Sequence, residues 1–222
     1  MSKSVRNSLS IFFLVIFLVA LVGQAFAGWA QFNDQQVAQG MSEIGLGRYL
    51  TSADFAVDVT ENWQSEYLQF LLYILATVFF IQQGSPESPT ESGFGTDKDQ
   101  KLGSHTVADS PIWAKAGGIR TAIFSWSLTL VMGSIFLASW LAQSIGGRAA
   151  FNETRLQQLQ DPLTWTAYVR NPDFWARTLQ NWQSEFLAVG SMAVLAIYLR
   201  QRGSAESKAV GEPHASTGTG GA

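Results

Sequence analysis

Residues 62–66 read NWQSE, and the same five letters return in the same order at residues 181–185. The offset between the two segments is 119 residues, and it aligns most of the remaining chain without a gap. Further matched segments are Phe32-Asn33 with Phe151-Asn152, Tyr49 with Tyr168, Asp54-Phe55 with Asp173-Phe174, and Gly84-Ser85 with Gly203-Ser204. Self-similarity at one fixed spacing indicates two copies of a single structural unit.

The chain has few charges and many apolar side chains. Of its 222 residues, 47% are hydrophobic and 14% are charged, whereas soluble domains carry about 25% charged residues. Four stretches are almost free of charge: residues 9–32, 67–83, 121–147 and 186–199. A membrane helix needs roughly 17–25 apolar residues. The first and third stretches meet that length alone, and the other two meet it once NWQSE is included.

The N-terminus has a second interpretation. Lys3 and Arg6, an apolar run and the small residues Ala25 and Ala27 are typical of a cleaved secretory signal. The run at residues 9–27 is longer than the 7–15 residues usual for a signal core. It also recurs in the middle of the chain, at residues 128–146, where it cannot be a signal. We therefore expect the segment to be retained as a membrane helix.

The sequence predicts an all-α membrane protein with four transmembrane helices, arranged as two parallel-repeat helical hairpins. The first hairpin covers residues 4–83, and its spans lie at about 8–28 and 63–83. The second covers residues 119–202, and its spans lie at about 121–147 and 182–202. Residues 84–118 and 203–222 are rich in Gly, Ser and Pro, and are predicted to be a disordered linker and a disordered tail.

The second helix of each hairpin is predicted to extend beyond the outer membrane face. One begins at Ala53 after the N-cap Ser52, and the other begins at Pro172 after the N-cap Asn171. If they run to about residues 83 and 202, each is roughly 45 Å long at about 1.5 Å per residue. The hydrocarbon core of a bilayer is only about 30 Å thick. NWQSE then lies where the projecting part meets the spanning part.

The positive charges predict which side of the membrane each loop occupies. With the N-terminus inside, nine of the 14 Lys and Arg residues lie on the inner side, and every Lys is among them. The positive-inside rule therefore favours cytoplasmic termini and a cytoplasmic linker. The predicted location is the plasma (inner) membrane of a bacterium, crossed by a multi-pass chain.

Two local patterns carry a resemblance to a known family. Each first span ends in G-x-A-x-F-N-[DE], at residues 28–34 and 147–153, and each second span begins with N-W-Q-S-E-[FY]. Over residues 4–88 and 119–207, the chain resembles an uncharacterised family of bacterial integral membrane proteins, known as a domain of unknown function. The resemblance implies a four-helix membrane protein with a duplicated hairpin, and it implies no particular chemistry.

The repeated motif supplies the first candidates for a functional site. Within each copy, the Asn, Trp and Glu share one helix face, because the Glu lies four residues after the Asn and three residues after the Trp. Glu66 and Glu185 could face each other across a pseudo-two-fold axis, and there bind a cation or share a proton. The alternative is a structural role, in which these side chains anchor the interface and bond to the other hairpin. The motif candidates are Asn62, Trp63, Gln64, Glu66, Asn181, Trp182, Gln183 and Glu185.

Asn33 and Asn152 are the second set of candidates. They lie on the projecting ends of the first and third long helices, at a predicted height near NWQSE. They could complete a polar cluster with Asn62 and Asn181. The alternative is that they belong to a solvated helix surface.

The composition excludes several kinds of chemistry. The chain has no Cys, which excludes disulfides and thiolate ligands, and its two His residues lie in the predicted linker and tail. We therefore predict no catalytic residue, no metal site and no cofactor. A net charge of −3 without a basic patch gives no indication of nucleic-acid binding.

The leading hypothesis is a non-enzymatic membrane protein of the cell envelope that acts as a scaffold or partner-binding module. Its expected partners are the lipid bilayer and either a second copy of the chain or another membrane protein. A small channel or transporter, using Glu66 and Glu185 for a cation or a proton, is the alternative. A membrane enzyme ranks third, because the usual nucleophiles and metal ligands are missing.

The predicted topology can be tested with single cysteines, because the chain has none of its own. In intact cells, an impermeant thiol reagent should label Gly45→Cys, on the outer side, and should label Ser104→Cys only after the membrane is permeabilised. Labelling of Ser104→Cys in intact cells, with Gly45→Cys protected, would reverse the orientation.

Overall fold

The structure is a computed structural model that describes residues 7–88 and 101–218. These residues form eight α-helices and one short 3-10 turn, with no strand among them, so the expectation of an all-α fold is confirmed for this part of the chain. The helices are α1 (Ser8–Ala38), α2 (Leu46–Leu50), α3 (Ala53–Phe79), α4 (Ile112–Ala116), α5 (Gly118–Ser125), α6 (Ser127–Gln157), α7 (Trp165–Tyr168) and α8 (Pro172–Tyr198).

The long helices match in pairs. α1 and α6 each contain 31 residues, and α3 and α8 each contain 27 residues. The predicted caps are present: the Ser52 hydroxyl accepts from the backbone N–H of Phe55 at 3.2 Å, and the Asn171 side chain accepts from that of Asp173 at 2.9 Å. Both helices start where the sequence predicts because a side-chain oxygen satisfies an otherwise unpaired N–H of the first turn.

Three helix boundaries differ from expectation. α3 ends at Phe79 and α8 at Tyr198, about one turn before the predicted residues 83 and 202. Past each end, the N–H of a Gln bonds to a serine hydroxyl in place of a helical carbonyl, from Gln82 to Ser88 and from Gln201 to Ser207. The third long helix is not continuous with residues 118–125, because the chain breaks at Trp126 between α5 and α6.

Two described helices, α1 and α6, are long and apolar enough to cross a membrane. Their apolar side chains are turned outward, and Leu9 and Val19 are 69% and 68% exposed. Polar side chains are buried instead: Gln64, Gln143 and Thr178 have at most 1% of their surface exposed. Along α1, whose buried residues are Asn33 and Gln36, burial is therefore inverted relative to a water-soluble protein, in which large apolar residues are the ones most often buried.

The chain divides into two compact units. The first comprises the residues up to Thr60 together with Ala142–Tyr168, and the second comprises Glu61–Leu141 and the residues from Val169 onward. In the first unit, α6 approaches the start of α3 closely at Gly146. A Cβ at that position would lie 3.5 Å from the carbonyl oxygen of Ala53 and 3.8 Å from the Cβ of Val57. Such small-residue contacts let helix backbones approach each other.

Two buried tyrosines organise the first unit. Tyr49 on α2 packs against Phe32 with a ring separation of 5.7 Å, and Tyr168 on α7 packs against Phe151 at 5.6 Å. The two tyrosine side chains are 1% and 0% exposed. Each hydroxyl lies against a glycine, Gly28 for Tyr49 and Gly147 for Tyr168, in the space that a Cβ would occupy. The G-x-A-x-F-N segment therefore needs its glycine to seat a tyrosine that follows about 20 residues later.

An aromatic cluster organises the second unit. The Trp140 ring on α6 contacts Phe136 at 5.6 Å, Phe174 at 6.1 Å and Trp182 at 5.8 Å between centroids. Trp175 completes the cluster at 6.1 Å from Trp140. Aromatic pairs at these separations are worth about 0.5–1.5 kcal/mol each beyond their buried area. The cluster joins α6 to α8.

The predicted linker and tail contain more structure than expected. Part of each prediction, at residues 89–100 and 219–222, lies outside the described residues. Among the rest, residues 101–118 include the 3-10 turn Gly103–His105 and helix α4. Residues 203–218 fold back onto Gly84, where the backbone N–H of Gly218 donates to the carbonyl of Ser85 at 3.1 Å. Composition alone predicts disorder because it does not register these long-range bonds.

Gly28→Ala tests the glycine–tyrosine contact. The added methyl group overlaps the Tyr49 hydroxyl and forces the buried ring to move, at an expected cost of about 1–3 kcal/mol in unfolding free energy. Gly23→Ala is the matched control on the same helix, because nothing lies within 4 Å of its Cβ. Thermal unfolding in detergent should show the loss for Gly28→Ala alone, with partial recovery in the double variant with Tyr49→Phe. Equal effects of the two glycine substitutions would contradict the contact.

Candidate functional site

The two copies of NWQSE lie on α3 and α8, and the structure brings Gln64 and Trp182 together. The indole Nε1 of Trp182 donates to Gln64 Oε1 at 2.7 Å. Gln64 is completely buried and Ser65 is 1% exposed. The amide nitrogen of Gln64 is also buried, and it has no hydrogen-bond partner within the described residues. The first copy thus supplies an interior acceptor to the second.

The contact between the copies is not symmetric. Gln183 and Ser184, which match Gln64 and Ser65, are exposed, and Trp63, which matches Trp182, is 40% exposed. The aromatic cluster gives the reason. Trp140 packs on Trp182 and fixes it inward, whereas the residue 119 positions before Trp140 is Leu21, which has no indole ring. The two copies of the motif therefore have the same residues in different environments.

The two glutamates of the motif lie near each other at the edge of this contact. The Glu185 carboxylate lies within hydrogen-bonding distance of the Ser65 hydroxyl, and close enough to Glu66 for the two charges to repel. Glu66 is exposed and Glu185 is half-buried. The cavity that the structure contains in the second unit is lined by other residues and by neither glutamate.

A charged pair supports the motif one turn away. Arg177 on α8 contacts Glu61 on α3 at 3.3 Å and Asp173 on its own helix at 3.6 Å. Its backbone carbonyl accepts from the side-chain amide of Asn181 at 3.0 Å. An exposed pair of this kind stabilises by at most about 1 kcal/mol. Asn62 is exposed, and its carbonyl accepts from the Ser65 hydroxyl at 2.9 Å.

Asn33 and Asn152 belong to local turns and not to the NWQSE contact. The Asn33 amide donates to the carbonyl of Ile44 at 3.0 Å and accepts from its N–H at 2.9 Å. Asn152 makes the same two bonds to Leu163, at 2.9 and 2.7 Å. Both polar ends of each side chain are used inside the first unit. Each of the two side chains therefore closes the loop after a long helix.

The predicted absence of a metal site is an expectation that the structure does not test. Across residues 7–88 and 101–218, no three His, Asp or Glu side chains are grouped so that they could hold a metal ion.

The structure gives a role to a second repeated motif. Residues 82–88 read QQGSPES and residues 201–207 read QRGSAES. Each forms the same turn, in which the glycine has a positive φ of 83° or 80°. In both, the first serine accepts from the N–H of the Glu, at 3.3 Å for Glu87 and 3.2 Å for Glu206. Glycine is the residue that adopts this backbone conformation without strain. In the sequence, the repeated residues Q-x-G-S-x-E-S were the pattern that could have indicated this turn.

Lys208 ties the tail to the first of these turns. Its side chain is 1% exposed, and its ammonium donates to the backbone carbonyl of Gly84 at 2.6 Å. Three carbonyls of the tail accept from the same group, those of His214 at 2.9 Å, Ser216 at 3.1 Å and Pro213 at 3.3 Å. A buried ammonium is costly unless it is fully hydrogen-bonded, so the tail must wrap around it. A Cβ at Gly84 would lie 2.5 Å from the His214 carbonyl oxygen.

The same closure brings two carboxyl groups together. Burial, a hydrogen bond to the Glu206 carboxyl and the negative charge of that group raise the pKa of Glu87 to about 7. Glu87 and Glu206 occupy the same place in the two Q-x-G-S-x-E-S turns. Two carboxylates that share one proton attract each other, and they repel once both are ionised.

The fold and these contacts define a class: an all-helical chain with two helices able to cross a membrane, apolar surfaces outside and polar contacts inside. Residues 1–219 match the model of a family described as Domain of unknown function (DUF6766), and the chain belongs to that family. This agrees with the resemblance to a domain of unknown function in the sequence. No curated protein and no solved structure matches the chain.

Glu87→Gln tests the carboxyl pair through its pH dependence. Because the folded-state pKa of Glu87 lies above the value of 4.5 for a solvated Glu, the stability that the pair contributes is complete in acid and is lost as the pH rises through about 7. The unfolding temperature in detergent should therefore fall between about pH 4.5 and 7, the two pKa values, and level off above about pH 7. Glu87→Gln should abolish that fall, because an amide can donate to Glu206 at every pH.

Asp109→Asn is the control for this experiment, since it removes an exposed carboxylate without touching the pair. It should keep the fall of the parent protein. A pH profile that is the same with and without Glu87→Gln would mean that Glu87 does not hold the shared proton.

Proposed function

We propose that this chain is a four-span integral membrane protein of the bacterial plasma membrane that acts as a non-enzymatic scaffold, with an exposed face of α3 as its partner-binding surface. Both termini are cytoplasmic, and α1 with α3 and α6 with α8 form two hairpins in parallel repeat. The observation that carries the proposal is the different exposure of the two NWQSE copies. The first copy presents Trp63 and Glu66 outward and buries Gln64. In the second copy, Trp182 is turned inward to Gln64 and Gln183 is exposed.

Inverted burial supports a membrane environment for all four long helices. α1 and α6 have the length and composition of membrane helices. α3 and α8 contain 27 residues each, which is about 40 Å and longer than a hydrocarbon core of about 30 Å. Their outward residues include Leu72, Phe79 and Leu195, which are all 43–51% exposed. In a bilayer these side chains contact lipid, and buried Gln and Thr side chains hold the helices together.

The partner-binding surface consists of Trp63, Glu66 and Phe70 on α3. Spacings of three and four residues put them on one face of the helix. Trp63 and Phe70 are 40% and 47% exposed, and Glu66 is also exposed. An aromatic pair beside a carboxylate fits a helix of a second membrane protein, because Trp supplies contact area and an N–H donor. A second copy of this chain is the simplest such partner.

A channel or transporter is the second candidate function. The nearness of Glu185 to Glu66 favours it, because two adjacent carboxylates in a membrane protein can bind a cation or carry a proton. The exposure of Glu66 and a cavity that neither Glu lines favour the scaffold.

Matched tryptophan substitutions test the scaffold. A photo-crosslinking amino acid at Phe70 should give an adduct in native membranes, either a dimer of this chain or a hetero-adduct. Trp63→Ala should remove the adduct and lower the unfolding free energy by less than Trp182→Ala does, because Trp63 is 40% exposed. Trp182→Ala should lower the unfolding free energy by about 2–5 kcal/mol, because it breaks the bond to Gln64 and empties the site beside Trp140.

The control position for the crosslinker is Val189, which is 119 residues after Phe70 and is half-buried. A crosslinker there should give no adduct that depends on Trp63. Equal destabilisation by the two Trp substitutions, or an adduct that survives Trp63→Ala, would contradict the scaffold surface. Proton or cation flux in liposomes that is lost in Glu66→Gln and Glu185→Gln would favour the transporter instead.

A further inference from the structure

A cavity of about 1170 Å³ lies in the second unit, beside the last turns of α3 and the start of α6. Its apolar wall includes Leu75 and Val78 from α3 and Leu128 from α6. The described end of the linker also lines it, with Lys101 and Ser104, and the helices add hydroxyl-bearing residues such as Thr129. The cavity thus combines an apolar wall with a cationic group and hydroxyls. This distribution matches a ligand with an apolar tail and a charged head.

The polar side of the cavity carries positive charge. Lys101 lines it, whereas the nearby Lys115 is used elsewhere, because its ammonium donates to the carbonyl of Ala108 at 2.6 Å. The lining hydroxyl of Thr121 is also used, and it donates to the carbonyl of Trp113 at 2.7 Å. The groups at the cavity that suit an oxyanion are therefore the Lys101 ammonium and the Ser104 hydroxyl.

The helices around the opening have the composition of a membrane interface. On α4 and α5, Ile112 and Ile119 are 81% and 76% exposed, and Lys115 and Arg120 are exposed beside them. Trp113 and Trp126 flank this stretch with almost half of their surface exposed. Exposed apolar residues, basic residues and Trp together are typical of segments that lie at the headgroup level.

We propose that this cavity binds one anionic phospholipid of the cytoplasmic leaflet, with its phosphate on Lys101 and Ser104 and an acyl chain along Leu75, Val78 and Leu128. The inference rests on the proposed membrane location, and it adds a bound lipid to it. Charge complementarity selects the occupant, because the cytoplasmic leaflet carries the anionic lipids that basic residues attract. A zwitterionic lipid would bring a second positive charge to a site that is already cationic.

Native mass spectrometry of the purified full chain, with phosphatidylglycerol or phosphatidylcholine added, tests the site. The parent protein should retain one phosphatidylglycerol in preference to phosphatidylcholine. Lys101→Gln should weaken that retention about fivefold, the change expected for one basic residue at an anionic headgroup. Lys115→Gln is the matched control, and it should leave retention unchanged because Lys115 does not line the cavity.

Val78→Trp tests the acyl-chain contact separately from the headgroup contact, because it fills the apolar wall and keeps Lys101. It should also abolish retention while the unfolding temperature stays at the parent value. If Val78→Trp unfolds the chain, the Lys101 and Lys115 pair still decides the outcome. Equal binding of both lipids, or equal effects of both Lys substitutions, would overturn the proposal. If inorganic phosphate is retained as strongly as phosphatidylglycerol, the site binds only the headgroup. That result would contradict the proposed contact with an acyl chain.

Failure of the membrane location has a different signature. In that case the chain is recovered in the soluble fraction after cell lysis, with no lipid of either kind attached. A chain that is found in the membrane but shows no preference between the two lipids contradicts the lipid site alone.

Discussion

The turn after each of the two longest helices, α1 and α6, depends on one interaction. In each turn, a side-chain amide pairs with a backbone peptide group. At the end of α1, Asn33 offers one donor and one acceptor to Ile44, as a neighbouring strand would. Asn152 does the same for Leu163 at the end of α6. A loop that returns against apolar helices has backbone groups that need partners, and an amide side chain supplies a donor and an acceptor on two separate atoms. With the loop held in this way, the following tyrosine can reach the glycine of the long helix.

The second unit shows how duplicated segments can take different roles. Gln64 is an interior acceptor, while its counterpart Gln183 is exposed. Trp140 packs against Trp182 at a centroid separation of 5.8 Å with the rings tilted by 49°, and its counterpart Leu21 has no indole ring. The pseudo-symmetry of the sequence therefore does not extend to the surface, and the surface is where a partner would bind.

The sequence predicted what depends on local patterns. Helix type, the caps at Ser52 and Asn171 and the apolar character of α1 and α6 all follow from residues a few positions apart. Among the site residues, the meeting of the two motif copies was predicted, but its asymmetry was not. The hydrogen bonds between Asn33 and Ile44 were not predicted, because the partner is a backbone group that any residue could supply.

The features that the sequence did not predict depend on contacts between residues far apart in the chain. These residues lie in segments whose composition gives no sign of the contacts. Tyr49 and Tyr168 were visible as a repeated letter, but nothing local shows that each covers a glycine. The tail was predicted to be disordered because it is rich in Gly and Ser. In the structure, the Lys208 ammonium bonds to three carbonyls of the tail and to the carbonyl of Gly84. Low apolar content predicts disorder only where no buried charge organises the backbone.

The bond from Lys208 to Gly84 joins residues 124 positions apart, and this separation sets an order of events during synthesis. The ribosome releases Gly84 long before Lys208 exists, and at about 5–20 residues per second the delay amounts to roughly 6–25 seconds. The contact cannot form during that delay, because its donor has not yet been made. The Lys208 ammonium therefore reaches Gly84 only after all residues of α8 have been synthesised.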